Sequence, residues 1–599
     1  MARIWYRSIF DIVEECRMNG LVICGTGFWA KKTYDIFRRF GITAKAFVCW
    51  ECNSPADDVT SLSISIISVR DALINNSDAC YLLGASSIRC ADNIERVKMG
   101  EYFRLEGIDE KYFGFDPLRY YFLVSCCGID GIGRLEAELY SSDFDTDKHF
   151  TISDLNSLVY QTNINRSGSV LFAQLCDGHP NLISLPPYWY YNVFMFATPY
   201  TYRLRFLSGF KLAIEIIAQI PYIINQDIHC TLNSHIDGID GYEGYFDCQG
   251  QLIKDGILVK PKDMLANIYY QIRYLCKFTF GELFKGLFAA YANAINTSYD
   301  TQEKYFLFMH PHVFGGYTLG LFKFFDEVFS VSTVQESVKA LASSINSQLT
   351  AVNPDSKYFG IAYPFNGKLE TKFIDGKQYV LEATNDETMI QYSEYPLNGL
   401  SNVLECARYA CVGIENYPNI PSYVARLEDF KTDSVRVMNS FCDKLLISFD
   451  PILLHATVNK IPVFEYNFFS YRVGLPELMN ESYKPHNKYY EITKNMLSDF
   501  DIRRIKLIFN EVNDLCGYSQ DNESNFSTLS IGEKRELLSQ SFKFCDDIQN
   551  GINIIDSSID VYSYQNFFAD LYFFYSEVEI AFLRIVKQSA EKRGEDYIL

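Results

Sequence analysis

The chain has 599 residues, of which 48% are hydrophobic and 16% aromatic, and its formal net charge is −20. This length exceeds a single compact domain, and the apolar content excludes wholesale disorder. The negative charge disfavours DNA or RNA as a partner, because proteins that read a phosphate backbone carry a basic face.

Cysteine usage and hydropathy bear on the compartment. The seventeen cysteines lack the spacing of a metal site or a disulfide framework, so we expect reduced thiols and a cytoplasmic protein. The first ten residues have no signal-peptide run. The most hydrophobic stretch, near residues 206–224, contains Lys211 and Glu215, which favours a buried helix over a membrane span. We expect no transmembrane segment.

Residues 1–115 predict a Rossmann-like domain with a parallel sheet. The apolar run from Leu21 to Cys24 is typical of a buried strand, and a glycine-rich turn and a helix follow it. In this turn, Gly25-x-Gly27-x-x-Ala30, glycine permits close approach of an anion to the N–H groups of the helix start. Gly25 and Gly27 are therefore candidate nucleotide-binding residues.

Two residues bear on that nucleotide site. Glu51 closes the next strand, where a ribose hydroxyl would lie, but Trp29 is bulky for a pyrophosphate crevice. A turn that serves only strand–helix packing remains the alternative. The segment resembles the small nucleotide-binding-like domains attached to bacterial surface-polysaccharide enzymes.

The remaining chain divides into three predicted parts. Residues 116–154 are a connecting segment in which Tyr120 to Ser125 predicts a strand, and residues 155–520 form an α/β domain. The polar stretch 516–530 predicts a linker, and residues 521–599 form a helical extension. The last helix carries an aromatic stripe that is a candidate dimer contact, although burial against its own domain is the favoured reading.

The segment from Leu158 to Pro180 predicts a strand, a polar loop and a helix. The loop ends in Arg166-Ser167-Gly168-Ser169, and Asp177-Gly178-His179-Pro180 stops the helix. Backbone N–H groups, the two hydroxyls and the guanidinium together suit one phosphate. The sequence has no Gly-Lys-Ser/Thr here, which disfavours a Walker-type nucleotide triphosphatase. His179 is expected to cap its helix rather than to react.

This arrangement resembles the 5′-phosphosulfate loop of bacterial sulfotransferases, which have a P-loop-like α/β fold. The resemblance implies 3′-phosphoadenylyl sulfate (PAPS) as sulfuryl donor, held by Arg166, Ser167, Gly168 and Ser169. It also implies a downstream strand and helix that supply an Arg and a Ser to the 3′-phosphate of the donor. Here Ser343 or Ser344 takes the serine position, but the expected Arg falls at Gln335 or Glu336.

A third block resembles the C-terminal region of the same family. It begins at Arg426-Leu427-Glu428-Asp429-Phe430 and runs to Lys460. The resemblance makes Lys460 a candidate anion contact, with a solvated loop lysine as the alternative.

Sulfuryl transfer to a hydroxyl needs a base for the acceptor proton. His310 and His312 are the candidate catalytic residues, because imidazole titrates near neutral pH. A structural role for both remains the alternative, because an apolar run precedes them. A further cluster, which we expect to form a hairpin rather than a metal site, contains His229, His235, Asp237, Asp240 and Glu243.

Three functional hypotheses follow. The first is a PAPS-dependent sulfotransferase that acts on a hydroxyl, from the resemblance that of a carbohydrate or surface glycan. The second is a catalytically degenerate sulfotransferase fold that serves as a binding or assembly protein in glycan biosynthesis. The third is a dinucleotide-dependent enzyme that uses the N-terminal domain.

Overall fold

The computed structural model describes part of the chain, and its longer ranges include both predicted α/β regions. The described residues are 8–49, 57–85, 90–108, 115–142, 148–163, 167–185, 207–218, 220, 244–246, 259–273, 275, 279–297, 299–300, 302–309, 320–340, 371–374, 377–380, 422–458, 460–467, 470–473, 499, 502–503, 506, 513, 516–518 and 530.

The first sheet contains four parallel strands in the order β3-β2-β1-β4. Helices join the strands, as the alternation of strand and helix patterns predicts, so the parallel sheet expected near the N-terminus is confirmed. The elements in chain order are α1 (Ile9–Asn19), β1 (Leu21–Cys24), α2 (Phe28–Arg38), β2 (Ala44–Val48), α3 (Asp57–Thr60), β3 (Ser65–Ile67), α4 (Val69–Asn75), β4 (Cys80–Leu83) and α5 (Cys90–Leu105).

The strand predicted from Tyr120 to Ser125 is wrong, because this region forms two short helices. They are α6 (Pro117–Tyr120) and α7 (Phe122–Cys126), and α8 (Ile132–Ser141) follows. Asp116 caps α6 by accepting from the N–H of Leu118, and proline occupies the first helical position. Residues 120–123 are all buried, and such a continuous apolar run fits a buried helix as well as a buried strand, which is why the sequence misleads here.

The second sheet contains five parallel strands in the order β12-β9-β5-β8-β6. The predicted strands at 158–162 and 327–332 both lie in it. The elements are β5 (Ser157–Asn163), α9 (Ser169–Asp177), β6 (Leu182–Ser184), α10 (Gly209–Ile217), β7 (Gly244–Phe246), α11 (Pro261–Ile272), α12 (Phe280–Ala294), β8 (Phe306–Met309), β9 (Glu327–Val334), β10 (Thr371–Ile374), β11 (Lys377–Val380), β12 (Ser422–Arg426), α13 (Leu427–Thr432) and α14 (Ser434–Leu445).

Three short strands complete the described elements. They are β13 (Thr457–Val458), β14 (Ile461–Asn467) and β15 (Ser470–Val473), and they join β7 in a small sheet of order β13-β14-β15-β7. The α/β fold class is therefore confirmed. The domain limits at residues 115, 154 and 520 stay predictions.

The two parallel sheets share one apolar core. Alternate residues of β1 and β5, such as Ile23 and Leu158, face this core together with α1, α2 and α10–α12. The opposite face of the first sheet packs on α4 and α5, and that of the second packs on α9 and α14. Each parallel sheet is therefore packed on both faces, and the loops that follow its strands begin at fixed positions.

The described part of the hydrophobic stretch near residues 206–224 forms α10, in which seven of nine residues are buried, and this confirms the buried-helix prediction. Within the ranges given above, no helix has both the length and the apolarity to cross a membrane. Glu215 of α10 is fully buried and accepts hydrogen bonds from the N–H of Ile9 (2.8 Å) and the hydroxyl of Tyr120 (2.9 Å). This carboxylate therefore joins α1, α6 and α10.

Replacing Glu215 by Ala should lower the free energy of unfolding by about 3 kcal/mol, because it leaves a buried N–H and a buried hydroxyl without an acceptor. Urea unfolding followed by circular dichroism measures the change. Glu14→Ala is the matched control, because Glu14 is exposed and pairs with Arg17 one turn along the same helix. Its expected loss is below about 0.5 kcal/mol. Equal losses in the two variants would contradict the role of Glu215.

Candidate functional site

The candidate site lies at the carboxyl edge of the second sheet, between β5 and β9. The connection after β5 leads towards β6 and β8, whereas the connection after β9 leads to β12 on the opposite side. The strand order therefore reverses between these two neighbours. In open parallel sheets such a reversal leaves a crevice outside the carboxyl ends, where ligands bind.

The loop from 164 to 168, called here the β5–α9 loop, turns the chain from β5 into α9. Gly168 has φ +76° and ψ +22°, a left-handed conformation that glycine adopts without steric cost. A Cβ atom at this position would lie 2.7 Å from Cδ1 of Leu427, so the turn also lacks space for a side chain. The predicted strand and helix are thus confirmed, and residues 167 and 168 are the part of the loop that the structure describes.

The start of α9 is oriented for an anion. Its cap residue is Gly168, no side chain caps it, and its first turn contains no acidic residue. The first N–H groups of an α-helix have no partner within the helix, and they carry its positive dipole end. Phosphate or sulfate binds favourably at such a position.

Gln161 and Thr333, which the sequence analysis missed, hold the loop in place through hydrogen bonds. Ser167 donates its hydroxyl hydrogen to the carbonyl of Thr333 in β9 at 2.7 Å. Gln161 of β5 donates from Nε2 to the carbonyl of Ser169 (3.0 Å) and to the hydroxyl of Thr333 (3.2 Å). All four residues are buried. The signal was present, because a glutamine that directly follows the apolar run Leu158–Tyr160 in a buried strand needs buried hydrogen-bond partners.

Five predicted site residues lie outside the described residues: Arg166, His310, His312, Ser343 and Ser344. The described neighbours fix only the ends of the elements before them. β8 ends at Met309, which pairs with Tyr160 three residues before the end of β5, and a helical turn at 337–340 follows β9. The binding and catalytic roles of the five residues stay predictions. The residues His229, His235, Asp237, Asp240 and Glu243 also lie outside the described ranges, so the expected hairpin stays a prediction.

The position that the resemblance gives to a phosphate-binding arginine is held by Gln335 or Glu336, and the carboxylate of Glu428 lies beside it. Glu336 accepts from the N–H of Lys339 (3.1 Å), so its carboxylate caps the helical turn after β9. Glu428 accepts from the N–H of Glu336 (3.2 Å) and lies 3.5 Å from the ammonium of Lys339. Gln335 precedes Glu336 in the chain and is half-buried.

The predicted linker at 516–530 begins with residues that dock on this edge. The hydroxyl of Tyr518 donates to Glu428 at 2.8 Å, and the carbonyl of Gly517 accepts from the guanidinium of Arg426 at 2.7 Å. Burial, and then the charge of Glu428, raise the pKa of Tyr518 far above its usual range. Arg426 is also paired with Asp429, so its charge is already balanced.

The structure does not bring Lys460 to the β5–α9 loop. Its ammonium donates to the carbonyls of Asp177 (3.4 Å), His179 (2.9 Å) and Leu182 (3.3 Å), at the opposite end of α9. Burial lowers the pKa of Lys460, and Asp177 partly offsets this. A lysine at the negative end of a helix stabilises that helix end. The geometry therefore assigns Lys460 a structural contact instead of the predicted anion contact.

His179 is a structural histidine, as expected. Its Nε2 lies 2.9 Å from the carbonyl of Ser448, and its Nδ1 accepts from the N–H of Asn181 at 3.1 Å. Burial is the main cause that lowers the pKa of His179, so the neutral ring is favoured.

The glycine-rich turn of the first sheet has the predicted conformation. Gly25 has φ +110° and donates to the carbonyl of Val48, and Gly27 precedes α2 with open space where a Cβ would lie. Ala30 packs so closely on Gly84 that a Cβ on that glycine would lie 2.5 Å away, which explains the small residue at the end of the motif. Nucleotide binding at Gly25 and Gly27 stays a prediction, and Glu51 lies outside the described residues.

Comparison with known proteins finds solved structures of sulfotransferase domains that are similar to this chain. No family model matches the chain, and no curated protein matches it. A sulfotransferase domain from the curacin biosynthetic pathway is 11% identical, with 61% of this chain and 99% of that chain covered and a TM-score of 0.29. A sulfotransferase domain from the Synechococcus PCC 7002 olefin synthase is 10% identical, with 59% and 98% covered and a TM-score of 0.25. Similarity at this level establishes no activity for this chain.

Replacing Gly168 by Ala should lower the free energy of unfolding by about 1–2 kcal/mol, because the left-handed backbone and the contact with Leu427 both disfavour a side chain. Urea unfolding measures the effect. Gly133→Ala is the control, because Gly133 lies within α8 with open space around it. That change should raise stability by about 0.5–1 kcal/mol. An unchanged stability of Gly168→Ala would contradict the left-handed turn assigned to Gly168.

Proposed function

We propose that this chain binds the 5′-phosphosulfate of a sulfated nucleotide at the start of α9 and transfers its sulfuryl group to a hydroxyl. The observation that carries the proposal is the glycine turn between β5 and α9, at the point where the strand order of the parallel sheet reverses. The proposed donor is PAPS, and the proposed acceptor is a carbohydrate or surface-glycan hydroxyl. The acceptor class comes from the sequence resemblance.

The residues of the loop would act by binding and by electrostatics. The N–H groups of Ser169, Val170 and Leu171 begin α9 and would donate to the phosphate oxygens, while the helix dipole would stabilise their charge. Arg166 is proposed to add a charge-assisted contact. The hydroxyl of Ser167 is already donated to Thr333, so Ser167 would act mainly by holding the loop in shape.

The transfer step needs alignment and a proton acceptor. The acceptor oxygen bonds to sulfur while the bond from sulfur to the bridging phosphate oxygen breaks, and the nucleotide leaves with that oxygen. His310 or His312 is proposed to take the proton of the acceptor hydroxyl. β8 ends at Met309, which pairs with Tyr160 three residues before the end of β5, so the chain enters this segment at the same edge as the loop.

A second function is favoured by one observation. The position of the expected phosphate-binding arginine is held by Gln335 and Glu336, and the carboxylate of Glu336 caps a helical turn. A neutral or acidic side chain cannot pair with a phosphate by charge. The alternative is therefore a catalytically degenerate fold that binds a ligand for assembly in glycan biosynthesis. A dinucleotide-dependent N-terminal domain is the third candidate, favoured by the open space at Gly27.

Adding PAPS or adenosine 3′,5′-bisphosphate should raise the melting temperature of the full chain. A ligand of the folded state at one hundred times its dissociation constant stabilises by about 2.7 kcal/mol. Differential scanning fluorimetry measures the shift. Arg166→Ala should abolish it, whereas Arg134→Ala, on the exposed surface of α8, should keep it.

The same measurement separates the three candidates. A shift with the sulfated nucleotide but no transfer to any hydroxyl would favour the degenerate binding protein. A shift with NAD alone would favour the dinucleotide-dependent enzyme. An unchanged PAPS-induced shift in Arg166→Ala would refute the assignment of the loop.

Replacing the catalytic base should lower the rate of sulfuryl transfer by about 10²–10⁴-fold, the usual contribution of general-base catalysis. His310→Ala and His312→Ala are each assayed for transfer of labelled sulfate, and the donor-induced melting shift is measured alongside. We expect one variant to lose transfer and keep donor binding. His455→Ala is the control. His455 follows the 3₁₀ turn Pro451–Leu454, which contacts the carboxyl end of α9, away from the β5–α9 loop. Full activity in both variants would exclude both histidines as the base.

A further inference from the structure

We infer that the attachment of residues 448–460 to the carboxyl end of α9 is a pH-sensitive latch, and that His179 is the group that releases it in mild acid. Residues 448–460, of which all but Asn459 are described, are called here the latch segment. The segment leads from α14 through β13 into the small sheet. The inference goes beyond the proposed function and does not rest on it, because the latch lies at the opposite end of α9 from the β5–α9 loop.

The ring of His179 is held by a backbone group on each side. Its Nδ1 accepts from the N–H of Asn181 at 3.1 Å, so the ring hydrogen is assigned to Nε2. Nε2 then donates to the carbonyl of Ser448, the first residue of the latch segment, at 2.9 Å. A neutral imidazole has one donor and one acceptor, so this tautomer satisfies both contacts. His179 is 1% exposed, so water replaces a lost contact only when the segment opens.

Protonation of the ring breaks one of these two contacts. An imidazolium carries a hydrogen on both nitrogens, so its Nδ1–H would oppose the N–H of Asn181. The ammonium of Lys460 donates to the carbonyl of His179 at 2.9 Å and brings a second positive charge close to the ring. The closed latch therefore disfavours the protonated ring, and the segment has to open before the ring takes up a proton.

The latch segment is also attached through buried polar contacts. Asp177 of α9 accepts from the hydroxyl of Thr457 and from the N–H of Lys460, both at 2.8 Å. Gly178 leaves room for the 3₁₀ turn, because a Cβ there would lie 2.6 Å from a side chain of that turn. Leu453 adds an apolar anchor in the core beside α9 and α14. Loss of the imidazole contact should therefore open this segment locally and leave the rest of the fold intact.

Charge around the ring sets the direction of the pH dependence. The charged groups on the elements packed around His179 are Asp177 of α9, Glu303 before β8, Asp450 before the 3₁₀ turn and Lys460 after β13. Burial has the largest effect and lowers the pKa of His179, whereas the carbonyl of Ser448 and Asp450 raise it and Lys460 lowers it. The pKa of the closed state thus lies below the unfolded value of about 6.5. The latch is therefore most stable above pH 6.5 and weakens as the pH falls towards the closed-state pKa.

Hydrogen exchange of the full chain, measured by mass spectrometry at pH 7.5, 6.5 and 5.5, tests the latch. Exposure times are scaled for the pH dependence of exchange in unprotected amides. Protection of the latch segment should fall about tenfold between pH 7.5 and 5.5, because opening takes up one proton below a pH of about 6.5. Peptides from α12, in the shared core, should keep their protection over the same range.

Two substitutions assign the pH dependence to the imidazole. His179→Gln and His179→Asn keep a polar side chain that takes up no proton in this range, so both should remove the tenfold change. Each is compared with itself at the two pH values, so a general loss of protection in the variant does not affect the result. His455→Gln is the matched control, because His455 is a half-buried imidazole of the same segment, and this variant should keep the tenfold change.

Three results would overturn the inference. The first is unchanged protection of the latch segment between pH 7.5 and 5.5 in the unmodified protein, a measurement that needs no variant. The second is a tenfold fall that persists in a folded His179 variant. The third is an equal fall throughout the chain, which would indicate global unfolding instead of a local latch. No nucleotide is present in these measurements, so each of these results leaves the proposed function standing.

Discussion

The hydrogen bond from Ser167 to the carbonyl of Thr333 is the constraint on which the candidate site depends. It joins the loop after β5 to the end of β9, and therefore fixes the start of α9 relative to the strand where the connections change direction. The left-handed Gly168 makes the turn possible, and Gln161 stabilises it by donating a hydrogen bond to the carbonyl of Ser169. Because all these polar groups are buried, a loop of different shape would leave them without partners.

The two ends of α9 have opposite roles. Its start has no capping side chain and lies at the crevice, whereas its end is closed by the half-buried Lys460 and the buried Asp177. Asp177 accepts from the hydroxyl of Thr457 and from the N–H of Lys460, so the small sheet is attached at the carboxyl end of α9. The helix is thus anchored at its negative end, and its positive end is where we propose that an anion binds.

Charge is unevenly distributed along the carboxyl edge of the second sheet. The side of β5 presents the start of α9, and the side of β9 and β12 presents Glu336, Glu428 and Asp429, each bonded to a neighbouring N–H, hydroxyl or cation. Residues 516–518 complete that acidic side, although they are far away in sequence. The two sides of this edge therefore differ in charge.

The sequence by itself determined the α/β class, the glycine turns after β1 and β5, and the position of α9, because alternating strand and helix patterns and glycine conformations are local properties. It misjudged residues 117–126, where a proline and an aspartate cap made helices from a β-like composition. The tertiary structure alone decided that Lys460 belongs to the far end of α9 and that Gln161, Thr333 and Tyr518 support the site. These contacts join residues up to 283 positions apart, and such pairings are set by packing rather than by local pattern.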